Sequence, residues 1–269
     1  MRSFLKLNSI PNVASGNDCS IKLPIGQTYE AIDLKYAGAT PAQIKNVRIE
    51  LDGRLLSTYE TLQDLIDENK RHKRPVKAGV VTFHFVRPEM KGVNVTDLVQ
   101  QRMFGLGTVG LQTCEIKFKI DAAAENPVLS AIAHKSVGTA PSWLTMRRTS
   151  FKQLNNGRTE IADLPIPVNY RIAAIHIKAA SVKAVEFLID GTQWRDLLEK
   201  ADNDYILEQY GKVVQDGVYT LDFMLEGDIY QSVMLDSTIQ DFRLKIDAEA
   251  EEQAEIVVEY MGVWSRNGF

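Results

Sequence analysis

The sequence predicts an all-β protein of two tandem sandwich or barrel domains, each with one short helix. Three observations carry that expectation: the chain repeats itself, its apolar residues alternate as in half-buried strands, and a helical pattern occupies the same slot of both repeats. Four matches in one order define the repeat. Leu23, Pro24, Ile25 and Tyr29 recur as Leu164, Pro165, Ile166 and Tyr170, an offset of 141. IKNVRIELDG from Ile44 lines up with VKAVEFLIDG from Val182 at an offset of 138, which holds to AGVVTFHF from Ala78 against DGVYTLDF from Asp216. Lys119-Ile120-Asp121-Ala122 recurs as Lys245-Ile246-Asp247-Ala248, offset 126. One match alone is at chance level; four in order indicate a duplication. The copies span 1–140 and 141–269, joined by a linker at about 136–149 whose Gly138, Pro141 and small polar residues are loop chemistry.

Element by element, CSIKLPI, EAIDLKY, NVRIEL, GVVTFHF and CEIKFKI alternate in the first copy, and RIAAIHIK, AVEFLI, GVYTLDF, FRLKI and EIVVEYM in the second. Asp52-Gly53 and Asp190-Gly191 end corresponding strands, where positive φ is expected. A helix is expected directly after each. In the first copy Leu55, Leu56, Tyr59, Leu62, Leu65 and Ile66 follow three-and-four spacing, with Ser57 and Glu60 as a capping box; in the second, Trp194, Leu197, Leu198 and Ala201 share a face. Strands about every ten residues with few helices suit an antiparallel sandwich or barrel, twice over.

Composition limits the function. Of 269 residues, 45% are hydrophobic and 25% charged, the balance of a soluble globular chain. Thirty-one basic against thirty-five acidic residues give a net charge of −4, which argues against direct nucleic-acid binding. No apolar run approaches the roughly 18 residues of a membrane span, and MRSFLKLNSIPN lacks the apolar core of a secretory signal. Two cysteines, Cys19 and Cys114, make no disulfide framework and fit a protein made in a reducing cytoplasm as packed free thiols.

No catalytic constellation emerges. Gly105–Gly110 (GLGTVG) matches a dinucleotide fingerprint literally, but the residues after it alternate like a strand, so a turn between strands is expected. His72, His84, His134 and His176 form no pair pre-spaced for a metal, and His84 aligns with Asp222, which suggests an outward, tolerant position. No G-x-S-x-G elbow occurs. The run Lys70–Arg74 (KRHKR) suits the cation-favouring end of a helix more than a phosphate site. Asp202 and Asp204 are the candidate metal ligands, offering oxygen to calcium without the glycine and distal glutamate of the twelve-residue calcium loop. The acidic run Asp247–Glu255 suits a solvated surface equally well.

On the paired LPI…Y, LDG/IDG, GV-x-T-x-x-F and KIDA segments, the chain resembles the double jelly-roll major capsid proteins of tailless icosahedral double-stranded DNA viruses with an internal membrane, and more narrowly those of the corticoviruses, marine bacteriophages. The resemblance covers the whole chain. It implies two eight-stranded jelly rolls and a virion coat protein, made in the host cytoplasm, that forms a pseudo-hexagonal homotrimer and tiles an icosahedral shell around a lipid vesicle. It also implies penton, spike and membrane-associated virion proteins as partners, and calcium as a cation that helps such shells cohere. Peripheral lipid contact would fall to Arg2, Phe4, Leu5, Lys6 and Leu7. The longer connection between Phe85 and Asp121 predicts the larger protrusion on the first domain. Two alternatives compete. A two-domain cupin enzyme needs an H-x-H pair that neither copy has; a tandem carbohydrate-binding module needs exposed aromatics, whereas Trp143 and Trp194 fall in linker and helix contexts.

Overall fold

The computed structural model describes residues 2–90 and 101–265. The chain divides into two compact units, one running to Met146 and taking in the segment from Val263, the other Arg147–Gly262. In the first unit the strands are β1 (Ser3–Lys6), β2 (Asp18–Lys22), β3 (Thr28–Ala37), β4 (Ile44–Leu51), β5 (Arg54–Thr61), β6 (Val80–His84), the short β7 (Leu106–Gly107), β8 (Cys114–Ile120) and β9 (Val128–Ser136), with helix α1 (Leu62–Arg71) between β5 and β6. One sheet has the order β1-β9-β3-β6, with β7 on β3; the other contains β5-β4-β8-β2. Strand β10 (Trp143–Leu154) follows. The second unit continues with β11 (Gly157–Ile161), β12 (Tyr170–Lys178), β13 (Val182–Ile189), β14 (Thr192–Glu199), helix α2 (Lys200–Gln209), β15 (Val218–Asp222), the short β16 (Val233–Leu235), β17 (Phe242–Ala248) and β18 (Glu252–Val263). Its sheets are β15-β12-β18-β10, with β16 on β12, and β11-β17-β13-β14.

Leaving aside β7 and β16, each unit has eight strands, and successive strands cross from one sheet to the other except at one hairpin, β4–β5 or β13–β14. That is the jelly-roll winding, made twice. Alternation puts Ile32, Leu34, Ile49, Leu51, Phe83 and Ile116 inside the first unit, each at most 4% exposed. In the second, Phe187 packs against Phe242 at 4.8 Å and Phe223 at 5.3 Å between ring centroids. Burying side chains of this size contributes about 1.5–3 kcal/mol each, which is where the stability of a helix-poor fold must come from.

The duplication is closer in structure than in sequence. β4, β5, α1 and β6 coincide residue for residue with β13, β14, α2 and β15 at an offset of 138. Asp52 and Gly53 have φ of 49° and 73°, as do Asp190 and Gly191. Each aspartate carboxylate accepts two backbone N–H groups: Gln112 and Thr113 for Asp52, Gln240 and Asp241 for Asp190, all at 2.7–2.9 Å.

The expected helices start too early. Residues 54–61 and 192–199 are strands, because a two-residue turn with both φ positive returns the chain as the second arm of a hairpin. Helix α1 is capped not by Ser57 and Glu60 but one turn later, where the Asp64 carboxylate accepts the Thr61 backbone N–H at 2.8 Å.

Two of the four matches are also displaced. The Phe85 N–H donates to Glu30 O (3.0 Å) as Phe223 N–H does to Ala173 O (2.9 Å), so β3 and β12 correspond at an offset of 143, not 141. Leu51 faces Cys114 as Ile189 faces Phe242, so β8 and β17 correspond at 128, not 126. A slip of two residues is one pleat repeat and leaves every side chain on its proper face, so alternation cannot detect it. Tyr170 therefore does not occupy the place of Tyr29. The Tyr29 hydroxyl donates to Pro24 O (2.5 Å), whereas Pro165 O receives its bond from Tyr260 on β18 (2.7 Å).

Tyr170 lies instead across Gly262, where an added Cβ would fall 2.3 Å from the ring. Gly262→Ala is expected to lower stability by about 1–3 kcal/mol through overpacking. Thermal unfolding checks this, and an unchanged midpoint would refute the close packing.

Candidate assembly surface

Both units carry the same three-strand polar triad, in β1-β9-β3-β6 and in β15-β12-β18-β10, with acid and histidine exchanged. In the first, Asp33 on β3 accepts the Thr82 hydroxyl (2.7 Å) and pairs with His134 Nε2 (2.8 Å). In the second, His176 on β12 lies between the Thr220 hydroxyl (Nδ1, 3.0 Å) and Glu259 (Nε2, 3.1 Å). The registers make Asp33 and His176, Thr82 and Thr220, and His134 and Glu259 equivalent. The first triad is half-buried and the second almost wholly buried. Such a site tolerates either polarity provided acid and base remain opposite each other.

The basic run Lys70–Arg74 is only partly solvated. Lys70 and Arg71 lie in the last turn of α1, as expected of cations, and Lys73 takes a φ of 53° where the helix ends. Arg74 turns inward and makes a bidentate pair with Glu89 (2.8 and 3.1 Å), with Glu68 at 3.4 Å. Arg87 Nε donates to the same Glu89 oxygen at 2.9 Å. Burial alone would raise the Glu89 pKa, but Arg74, His72 and Arg87 outweigh it and hold the carboxyl far below the ordinary range. Beside this cluster the Arg87 N–H reaches Gln101 O at 3.2 Å and the Gln101 amide reaches Met90 O at 2.6 Å, closing the base of the connection whose middle, 91–100, lies outside the described residues. The larger protrusion expected on the first domain falls in that connection.

His84 and Asp222 are not outward-facing. His84 is half-buried, and burial followed by Arg74 lowers its pKa to about 4. Asp222 is buried and paired with Lys212 at 2.8 Å, and Lys212 stands where the first copy has Arg74.

On the exterior, two strands that end their sheets stand out. β14 exposes Trp194 (54%) and Leu197, although their counterparts in the first copy, Leu56 and Tyr59, are buried. Trp194 is thus a strand residue, not the helical one expected, and with Arg195, Tyr210, Glu226 and Gln231 it lines an open cleft of about 250 Å³. Asp196 and Glu199 add negative charge to the strand's exposed positions. β1 exposes Phe4 (68%), whose ring meets His134 edge-on at 4.9 Å, and ends on Lys6, with Arg2 just before its first residue. Arg2 pairs with Glu30, and Leu7 is buried with its N–H on Ala131 O (2.9 Å), so both ends of β1 are tied into the fold and residues 2–7 are not a loose arm.

The remaining sequence candidates do not converge. Asp202 and Asp204 sit two apart on α2, about 200° around the axis, with Asp202 exposed and Asp204 paired to Lys200 at 2.5 Å. Among the described residues no three His, Cys, Asp or Glu side chains gather around a common point. Gly105–Gly110 forms turns and β7, with strand β8 following and no helix for a pyrophosphate. Cys19 and Cys114 are buried free thiols, and burial pushes Cys114 up to about 12. The acidic run Asp247–Glu255 contributes Asp247 to a pair with Arg158 (2.8 Å), Glu255 to Lys178 (3.0 Å) and Glu252 to the Ser181 N–H (2.9 Å).

Comparison with known proteins agrees with this architecture. Residues 4–136 match the viral coat protein P2 N-terminal domain and residues 144–264 the viral coat protein P2 C-terminal domain. The chain is 82% identical over 269 residues, the full length of both, to the major capsid protein P2 of Pseudoalteromonas phage PM2. The crystal structure of that protein superposes with a TM-score of 0.98 over all of both chains. A structure from Sulfolobus Turreted Icosahedral Virus matches with a TM-score of 0.68 at 10% identity, covering 97% of this chain and 91% of that one, and so shares the fold. Two jelly rolls wound strand for strand alike, both matched by the P2 domains, place the chain in the viral coat protein P2 family, as a major capsid protein of the virion shell.

Proposed function

We propose that the chain works without catalysis, as a homotrimer of pseudo-hexagonal footprint that tiles an icosahedral shell around an internal membrane. The observation that carries this reading is the residue-for-residue correspondence of β4 to β6 with β13 to β15. Two matched units in each of three chains present six similar edges to neighbours, and a closed ring of three makes each contact heterologous, so the two copies must differ on their surfaces while agreeing inside. The bare Trp194 against the covered Leu56 is a difference of that kind. Penton and spike proteins are the expected partners at the shell's special positions. Contact with lipid runs through membrane-associated virion proteins, since Arg2 and Leu7 are already engaged within the sheet. For calcium, the exposed carboxylates are the available charged ligands, to be completed by backbone carbonyls, water or a neighbouring chain.

Light scattering on a sizing column tests the trimer. Three chains of 30.2 kDa give about 91 kDa. A mass near 30 kDa at every concentration would overturn the reading.

A further inference from the structure

Two surface strands are complementary, and they lie in different units. β14 ends its sheet with Trp194 and Leu197 exposed, the half-buried Arg195 after Trp194, and the exposed acids Asp196 and Glu199 on either side of Leu197. β1 ends its sheet with Phe4 exposed between Arg2 and Lys6, and Lys135 of β9 lies directly opposite Ser3. The other sheet-ending strands lack this combination. β2 exposes Asp18 and Lys22, β11 exposes Arg158 and Glu160, and β6 and β15 expose no large apolar side chain. A bare strand edge with apolar side chains is a template for another strand and is normally blunted by charge; here the two apolar edges carry charges of opposite sign. An acidic edge repels its own kind and accepts a basic one, which selects the heterologous pair over either like pair. The internal duplication adds a contrast: in the first copy the equivalent positions, Leu56 and Tyr59, are 2% and 8% exposed, and β5 does not end its sheet as β14 does.

We propose that β14 of one chain takes up β1 of a second copy, the two edges adding strand to strand with Phe4 seated beside Trp194 and Lys6 facing the β14 carboxylates. Because the joined surfaces differ, each chain offers both halves, and repetition closes a ring or runs on. The inference rests on the trimer reading and names the contact that would close it.

The experiment uses the full chain at one concentration, with mass by light scattering and folding by circular dichroism. Phe4→Asp and Trp194→Asp should each shift the mass from about 91 to about 30 kDa, three chains to one, with the β spectrum unchanged. Lys6→Glu should raise the concentration needed for assembly at least tenfold, as should Asp196→Lys with Glu199→Lys. Combining the reversals should restore assembly to within about threefold of the parent. A parent trimer whose Phe4→Asp and Trp194→Asp variants stay trimeric overturns the strand pairing and leaves the trimer intact. Combined reversals no better than either alone overturn the pairing too. A parent that is itself a monomer overturns the trimer reading first. Should either Asp variant misfold, the charge-reversal set decides, since Lys6, Asp196 and Glu199 are all exposed.

Discussion

Glu89→Ala is expected to cost the first unit about 3–5 kcal/mol, because it strands two buried guanidinium groups at once. The side chains of Arg74 and Arg87 are 4% and 5% exposed, and both donate to Glu89. Glu68 remains near Arg74, but at 3.4 Å and without the bidentate geometry it replaces only part of the loss. Glu89→Gln keeps the shape and removes the charge, so it should fall between the alanine variant and the parent. The pH dependence has a definite sign. The native carboxyl is held below its ordinary value by Arg74, His72 and Arg87 against the opposing effect of burial. A depressed carboxyl contributes stability that is fully present above the unfolded value, about 4.3, and is lost as pH falls below it. Urea unfolding between pH 6 and 2.5 should therefore show a steeper acid loss in the parent than in Glu89→Gln. Equal slopes, or a loss below about 1 kcal/mol for Glu89→Ala, would mean the cluster is not sealed from water as described.

How much of the fold is legible in the sequence follows from which signals are periodic. The strands and the duplication rest on alternation and spacing, and these survive; a helix in the same slot of both copies survives too, but it begins at Leu62 and Lys200, and the first copy is also helical at residues 101–103. Alternation is also why the LPI…Y and KIDA matches were each two residues out: a slip by one pleat repeat keeps Ile120 and Ile246 inward alike. Turn chemistry held information that spacing overrode, since Asp52-Gly53 with both φ positive demands a returning strand where Leu55, Leu56 and Tyr59 suggested a helix. The polar interior left almost no trace. Asp33 and His176 are equivalent only at the offset of 143, so the exchanged triads were invisible at 141. Arg74 and Glu89 are 15 residues apart with nothing in either neighbourhood to announce burial. The bare face of β14 is hidden differently: the spacing places Trp194 on a helix, and that one wrong element conceals the exposed aromatic.

A second hidden exchange leads to the other large effect. The 138 offset runs straight through the helices, and there Leu65 and Asn69 of α1 become Asn203 and Leu207 of α2. All four are buried, at 1%, 2%, 4% and 4% exposure. Asn69 donates its amide to Thr82 O (2.8 Å), and Asn203 donates to Thr220 O (3.0 Å), the equivalent carbonyl. The helix is thus tied to the same strand group in both copies, from sites one turn apart on the same face. Leu65→Asn alone should cost about 3–5 kcal/mol, from lost apolar burial plus a second amide competing for one carbonyl. Asn69→Leu alone should cost about 1–3 kcal/mol, because the Thr82 carbonyl loses its donor. The double variant installs the arrangement of the second copy. It should recover to within about 1.5 kcal/mol of the parent, a favourable coupling of about 2 kcal/mol or more in a double-mutant cycle. Simple additivity would show that the two helices are held by their surroundings and that the shared carbonyl is incidental. Recovery would show a single physical requirement, one amide for one strand carbonyl beside one leucine, met twice in one chain by opposite choices.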